Sequence, residues 1–188
     1  IDDIRAAATR LEGQVIRTPL VPAARMSEVL GCELHLKLEN LQRTGSFKDR
    51  GAYVRLSSLG AGETKRGVIA MSAGNHAQGV AYHAQRLGIP SVIVMPEFAP
   101  FSKVERTRGF GARVVLTGDT LDASAVAARE IAEREGLTFV HPYDDEAIIA
   151  GQGTIGLEMR WTLFDGQATR SRVAAARADL SRLKWQRR

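Results

Sequence analysis

Four short apolar runs alternate with helical patterns between residues 68 and 150 of the sequence. The runs are VIAM, IPSVIVM, ARVVLTG and LTFVH, which we predict as strands at 68–71, 89–95, 112–118 and 137–141. Each connection contains a helical pattern, and helical crossovers join parallel strands and cover both faces of their sheet. We therefore predict an α/β fold with a small, doubly wound parallel sheet. Ligands of such sheets bind where the carboxyl ends of the strands lead into helix N-termini.

The predicted helices have recognisable first and last residues. Thr120 is the predicted N-cap of the helix in TLDASAVAAREIAEREG, and Gly136 follows its last turn. Ser72 is the predicted cap of the helix in SAGNHAQGVAYHAQRLG, which Gly88 closes. A further helix is predicted in DDEAIIAGQGTIGLEM. Upstream of residue 68 the pattern predicts an extended segment, a helix and a strand that ends near Asn40, in a different packing layer.

Composition and charge limit the classes of function. No run approaches the roughly 18 apolar residues of a membrane helix. Cys32 is the single cysteine, which excludes an intramolecular disulfide and favours a reducing, cytoplasmic setting. The net charge of +5 comes from residues 160–188, which contain eight basic and two acidic residues, so the rest of the chain is slightly negative. A basic surface for nucleic acid is therefore predicted only for this tail.

The segment TGSFKDRGA places Lys48 in the first turn of a predicted helix, with Ser46 as a plausible N-cap. Helix N-termini favour anions, so a lysine is unexpected there. One interpretation is a solvated surface charge, as most lysines are. The other is that the positive field and burial lower the pKa of Lys48 and supply a neutral amine as a nucleophile. The spacing alone leaves both open.

Two glycine-containing segments are candidates for ligand binding. SAGNHAQG follows a predicted strand, and its loop could bind a carboxylate or phosphate through backbone N–H groups. Taken alone, the loop sequence favours a capped loop without a ligand. GQGTIG, residues 151–156, matches the dinucleotide-binding fingerprint but lacks the preceding strand and the acidic residue at the next strand end. We predict no metal site, because no histidine pair has helical ligand spacing; His83 is interpreted as a satisfied or surface histidine.

LKLENLQRTGSFKDRGA, SAGNHAQGVA and HPYDDEAIIAGQGTIGLE together resemble the fold-type II (tryptophan synthase β-like) pyridoxal-phosphate enzymes, within them the threonine dehydratase and serine racemase family. The resemblance runs from about Ile4 to Glu158 in the family's order and spacing. It implies that residues 1–67 form the N-terminal part of a large cofactor-binding domain and residues 68–150 the small α/β domain. Residues 151–188 would be a returning helix and an atypical basic tail.

The resemblance also implies roles for individual residues. Lys48 would hold pyridoxal 5'-phosphate covalently and, once released, would remove the α-proton of the substrate. Phe47 would lie beside the cofactor, and Asn75 would form a hydrogen bond with its phenolic oxygen. The implied reaction is the loss of the β-hydroxyl of threonine or serine and then of ammonia, in amino-acid metabolism such as isoleucine biosynthesis. The enzymes are cytoplasmic, and a homo-oligomer is one implied assembly.

The carboxylate of the small amino-acid substrate would be bound by the loop made of Ser72, Ala73, Gly74, Asn75 and His76. The racemase has a serine as its second base at the position of Ala73. Because a methyl group cannot transfer a proton, the resemblance favours a dehydratase over a racemase.

The chain departs from the family after GLE at residues 156–158. The family continues into a glycine-rich loop that binds the cofactor phosphate, whereas MRWTLFDGQATRSRV follows here and no such loop appears before Arg188. We therefore expect a fragment or short form with little activity on its own, and a truncated or frame-shifted product is one interpretation. Two other functions stay open: a non-catalytic domain that binds an amino acid or a partner chain, and nucleic-acid binding by the basic tail.

Overall fold

The computed structural model describes residues 1–158, so the predicted basic tail lies outside the described residues. The helices are α1 (Asp2–Leu11), α2 (Ala24–Leu30), α3 (Lys48–Ser57), α4 (Ala61–Arg66), α5 (Asn75–Leu87), α6 (Phe101–Gly109), α7 (Leu121–Glu135) and α8 (Glu146–Glu158). The strands are β1 (Leu20–Pro22), β2 (His35–Lys37), β3 (Val68–Met71), β4 (Ser91–Met95), β5 (Arg113–Leu116) and β6 (Thr138–Phe139). A 3₁₀ turn spans Glu39–Leu41.

A four-stranded sheet has the strand order β5-β4-β3-β6, and all its pairings are parallel. The predicted parallel sheet is therefore confirmed; β3 has the predicted bounds, and the other three strands are shorter than predicted. Ile89 and Leu137 do not join the ladder because their N–H groups bond back to helix carbonyls, at Ala84 and Ala132 respectively. Gly88 and Gly136, both with positive φ, end α5 and α7. The residue after each glycine, predicted as the first residue of a strand, therefore belongs to the end of the helix.

The two faces of the sheet are covered by different helices. Val68 and Ala70 pack in one apolar cluster with residues of α5 such as Val80, whereas Ile69 packs with Ile131 of α7 in another. This alternation follows from the two-residue period of a strand, which directs successive side chains to opposite faces. The predicted doubly wound arrangement is confirmed.

The described chain forms two compact units. One comprises Ile1–Arg17 and Glu39–Ile155, and it contains the parallel sheet with α1 and α3–α8. The other contains Thr18–Leu38, in which β1 and β2 pair antiparallel on either side of α2. The strand predicted to end near Asn40 ends at Lys37. The division predicted at residues 67 and 150 stays a prediction.

No helix in the described part of the chain combines the length and the apolar character needed to cross a bilayer.

Candidate functional site

Lys48 is the first residue of α3. Phe47 occupies the N-cap position and forms no side-chain capping bond. The predicted cap, Ser46, lies one residue earlier, and its Oγ accepts a hydrogen bond from the N–H of Lys48 at 3.3 Å. Ser46 therefore satisfies the first helical N–H from outside the cap position, and the lysine lies at the start of the helix as predicted.

The amine of Lys48 forms a hydrogen bond within the protein and does not extend freely into solvent. Its Nζ donates a hydrogen bond to the carbonyl oxygen of Pro142 at 2.6 Å, and lies 5.3 Å from the centroid of the Phe47 ring. Burial lowers the pKa of Lys48 from its ordinary value. A lower pKa increases the fraction of neutral amine, which is the nucleophilic form. Lys48 is thus a partly buried, hydrogen-bonded amine and not a freely solvated charge.

The loop 72–74 connects β3 to α5. Gly74 is the N-cap of α5 and provides no side-chain cap. Ser72 does not cap the helix, which corrects the sequence interpretation: its Oγ accepts a hydrogen bond from the N–H of Gly74 at 3.1 Å, within the loop. Asn75 is the exposed first residue of α5. The N–H groups of the first turn therefore have no side-chain cap, and suit a carboxylate or phosphate.

His76 lies in the first turn of α5 and is buried. Its Nε2 is 3.0 Å from the carbonyl oxygen of Val140, and its Nδ1 has no hydrogen-bond partner among the described residues. Burial lowers the pKa of His76 to about 4, and the charge of Lys48 contributes to the lowering. A neutral ring that donates through Nε2 satisfies the carbonyl of Val140.

Residues 140–142, directly after β6, contact both His76 at the start of α5 and Lys48 at the start of α3. Val140 contacts the ring of His76, and Pro142 accepts the hydrogen bond of Lys48. A Cβ at Gly79 of α5 would lie 3.2 Å from the carbonyl oxygen of Lys48, so α5 and the start of α3 are in close contact. The structure thus brings Lys48 and the loop 72–76 together at the carboxyl ends of β3 and β6.

Two residues next to this site were not assigned a role from the sequence. Asp49 has a side chain 1% exposed, and its carboxylate accepts hydrogen bonds from both the N–H and the hydroxyl of Thr44. His83, interpreted as a satisfied or surface histidine, is fully buried, and its Nε2 has no hydrogen-bond partner in the part of the chain that the structure describes. Their burial depends on how α3 and α5 pack, which no local pattern indicates.

Arg50, the other basic residue of the motif, belongs to the interior. Its Nε and Nη2 each lie 2.9 Å from a carboxylate oxygen of Glu39, and its Nη1 donates to the hydroxyl of Thr154. The bidentate pair with Glu39 links α3 to the preceding 3₁₀ turn, and the hydrogen bond to Thr154 links α3 to α8. Arg50 is therefore a packing residue, whereas its neighbour Lys48 faces the candidate site.

The GQGTIG segment lies within α8, and its first glycine packs against α3. A Cβ at Gly151 would lie 2.8 Å from both the carbonyl oxygen of Arg50 and the Cα of Gly51. The match to the dinucleotide-binding fingerprint therefore reflects close helix packing, which requires small residues.

We expect Gly151→Ala to lower the free energy of unfolding by about 1–3 kcal/mol, because the added methyl forces the helices apart. Gly156→Ala, in the same helix with open space around its Cβ, is the matched control and should be neutral or slightly stabilising. Urea unfolding of both variants measures the difference. Equal stabilities would contradict this packing role.

No group of three or more potential metal-ligating side chains converges in the described residues.

Comparison with known proteins identifies the class. The family described as "Pyridoxal-phosphate dependent enzyme" matches residues 11–175. The chain belongs to this family. It is 53% identical over 165 residues to an L-threonine ammonia-lyase of Thermotoga maritima, covering 88% of this chain and 41% of that protein. It is 50% identical over 165 residues to the catabolic L-threonine dehydratase TdcB of Escherichia coli K12, covering 88% of this chain and 50% of the dehydratase.

A solved structure gives the same fold. Serine racemase from Dictyostelium discoideum superposes with a TM-score of 0.78 at 38% identity, over 84% of this chain and 52% of that one. The predicted fold-type II class is confirmed. The chain spans about half the length of the curated relatives it matches.

The residues present fit the family's cofactor, pyridoxal 5'-phosphate. A partly buried amine with a lowered pKa, beside an exposed helix N-terminus, provides the donor set for an aldehyde and an anionic substrate group. Phe47 is 40% exposed beside this amine, so its ring can contact a planar ligand.

Proposed function

We propose that this chain carries the lysine half of the active site of a pyridoxal-phosphate-dependent L-threonine ammonia-lyase, which converts L-threonine to 2-oxobutanoate and ammonia and also accepts serine. The observation that carries the proposal is the amine of Lys48, held with a lowered pKa beside the first turn of α5. Two relatives at 50% identity or more are named for L-threonine, which supports this substrate.

Lys48 holds the cofactor through its side-chain nitrogen in this proposal, and the released amine takes the α-proton of the substrate. When bound, the cofactor withdraws electrons from the α-carbon and so makes that proton removable. The lowered pKa of Lys48 supports both roles, because each needs a neutral amine at working pH. The carbonyl of Pro142 can orient the released amine, since it already accepts its hydrogen bond.

The other proposed contacts follow the geometry of the loop. Backbone N–H groups in residues 72–76 bind the substrate carboxylate, supported by the uncapped start of α5. Asn75 and Phe47 are both exposed at this site, and in the proposal Asn75 would hold the phenolic oxygen of the cofactor and Phe47 would lie against its ring. His76 contributes its backbone N–H, while its side chain ties the loop to Val140.

Ala73 supports elimination over racemisation. Its side chain has no group that can transfer a proton to the opposite face of the substrate. We further propose that the protein acts as a homo-oligomer in the cytoplasm; the single cysteine is compatible with a reducing compartment.

A chimera tests the proposed function. Residues 1–158 of this chain are joined to the part of the E. coli dehydratase that lies beyond its matched segment, because the chain spans half of that protein. We expect the chimera to release 2-oxobutanoate and ammonia from L-threonine. A folded, cofactor-loaded chimera that produces no oxo acid, or that only inverts the α-carbon of L-threonine to give D-allothreonine, would contradict the proposal.

A further inference from the structure

Asp49 and His83 form a buried polar pair next to Lys48. Asp49 follows the lysine in the chain, and Nε2 of His83 lies 3.9 Å from its Oδ1. Both side chains are 1% exposed. Burying a polar group costs desolvation free energy, so a polar pair that is buried usually has a structural or functional role.

Asp49 closes the loop that contains the lysine. Its carboxylate accepts two hydrogen bonds from Thr44, one from the N–H at 3.2 Å and one from the hydroxyl. The residues enclosed between these two include Phe47 and Lys48 themselves. The carbonyl of Thr44 in turn accepts a hydrogen bond from Nη2 of Arg106 at 3.3 Å, so α6 supports the same loop. The start of α3 is thereby held in one conformation.

His83 connects this closed loop to α5. Nδ1 of His83 lies 3.3 Å from Nη1 of Arg86, and because a guanidinium only donates hydrogen bonds, Nδ1 is the acceptor and the proton of the neutral ring is on Nε2. That N–H makes no hydrogen bond with any described residue, and Nε2 lies 3.9 Å from Oδ1 of Asp49, which is beyond hydrogen-bond distance but within reach of electrostatic attraction. Tyr53 and Tyr82 pack edge-on against the ring and restrict its rotation.

The position of His83 on α5 makes this connection specific. Gly79 and His83 are four residues apart and lie on the same face of the helix. Gly79 contacts the backbone of Lys48, and His83 approaches Asp49. Helix α5 therefore contacts the start of α3 through Gly79 and His83, and its own first turn is the proposed carboxylate site.

We propose that Asp49 and His83 are positioning residues for Lys48: Asp49 closes the loop 44–48, and His83 fixes that loop against α5, so that the lysine amine and the loop 72–76 keep one relative geometry. The pair acts through Lys48 and touches no reacting atom. This inference rests on the proposed function for its catalytic meaning, but the geometry of the lysine can be measured without cofactor.

The experiment uses the 188-residue chain with four substitutions. Asp49→Ala opens the loop, and His83→Phe keeps the ring packing but removes both nitrogens. His83→Gln places an amide nitrogen near the Nε2 position and is the conservative rescue. Ile131→Val, in the core on the other face of the sheet, is the matched control for a loss of stability alone.

Two readouts are taken. Without cofactor, acetylation by acetic anhydride gives the ratio of reaction at Lys48 to that at the exposed Lys103, by mass spectrometry. With pyridoxal phosphate, the growth of visible absorbance gives the rate of bond formation. We expect Asp49→Ala and His83→Phe to change the acetylation ratio by about fivefold or more and to slow bond formation by about tenfold to a hundredfold, as misplaced groups do. His83→Gln and Ile131→Val should stay within about twofold of the wild type.

An unchanged acetylation ratio in both Asp49→Ala and His83→Phe would overturn the positioning role, as would an equal change in Ile131→Val. If the ratio responds as expected but the wild-type chain forms no visible band, the positioning of the lysine is supported and the proposed cofactor role alone is contradicted.

Discussion

Replacing Lys48 with alanine is expected to lower kcat/KM of the chimera for L-threonine by at least about a thousandfold. The substitution removes the proposed covalent anchor of the cofactor and the proposed base for the α-proton, and a positioned general base alone contributes about 10²–10⁴-fold. Because the side chain lies at the surface of the site and its neighbours pack through α3, the fold should persist. The measurement is the initial rate of oxo-acid release.

Lys65→Ala is the matched control, since Lys65 is an exposed lysine in the last turn of α4. It should leave the rate unchanged. A Lys48→Ala chimera that keeps more than about a tenth of the wild-type rate would remove Lys48 from the chemistry, because a tenfold loss corresponds to only about 1.4 kcal/mol.

The second large effect is a loss of stability in acid. Burial lowers the pKa of His76 to about 4 and that of His83 to about 3, the latter with help from Arg86, whereas an unfolded histidine titrates near 6.5. Between these values the unfolded chain binds more protons than the folded one, so the free energy of unfolding falls as the pH falls. The stability is complete above about pH 6.5 and is lost progressively toward pH 4 and below.

Each pKa unit corresponds to about 1.4 kcal/mol, so the full shift amounts to roughly 3 kcal/mol for His76 and somewhat more for His83. Urea unfolding of the 188-residue chain at several pH values between 7.5 and 4.5 measures the slope. His83→Gln should flatten it, whereas His35→Gln, at an exposed histidine of the antiparallel unit, should not. Identical slopes in the wild type and His83→Gln would contradict the burial of a neutral His83.

The sheet could be predicted because its signals are local. Alternating apolar runs and helices, Thr120 as the cap of α7 and the glycines after α5 and α7 each act over a few residues, and each is confirmed. The cap of α5 was predicted wrongly at Ser72, because Gly74 takes the N-cap position and the hydroxyl of Ser72 bonds within the loop. Several chemically different residues can start a helix, so the sequence does not select one.

The candidate site was predictable in part. Lys48 and the loop 72–76 were identified by motif, and the place of the loop at the carboxyl end of β3 follows from the carboxyl-edge rule for parallel sheets. Lys48 follows no strand of that sheet, so the rule does not place it beside the loop. The carbonyl of Pro142 and the pair of Asp49 and His83 could not be found this way. A backbone carbonyl has no residue type that identifies it, and the burial of the pair depends on the close contact of α3 and α5 at Gly79.

The proposed function depends most on the attachment of the cofactor to Lys48, and one measurement tests this attachment directly. The 188-residue chain is incubated with excess pyridoxal phosphate, reduced with borohydride, digested and mapped by mass spectrometry. We expect the reduced cofactor on the peptide that contains Lys48, and no label on that peptide after Lys48→Ala. Label on Lys37 or Lys65 instead, or equal label on exposed lysines throughout the chain, would contradict it.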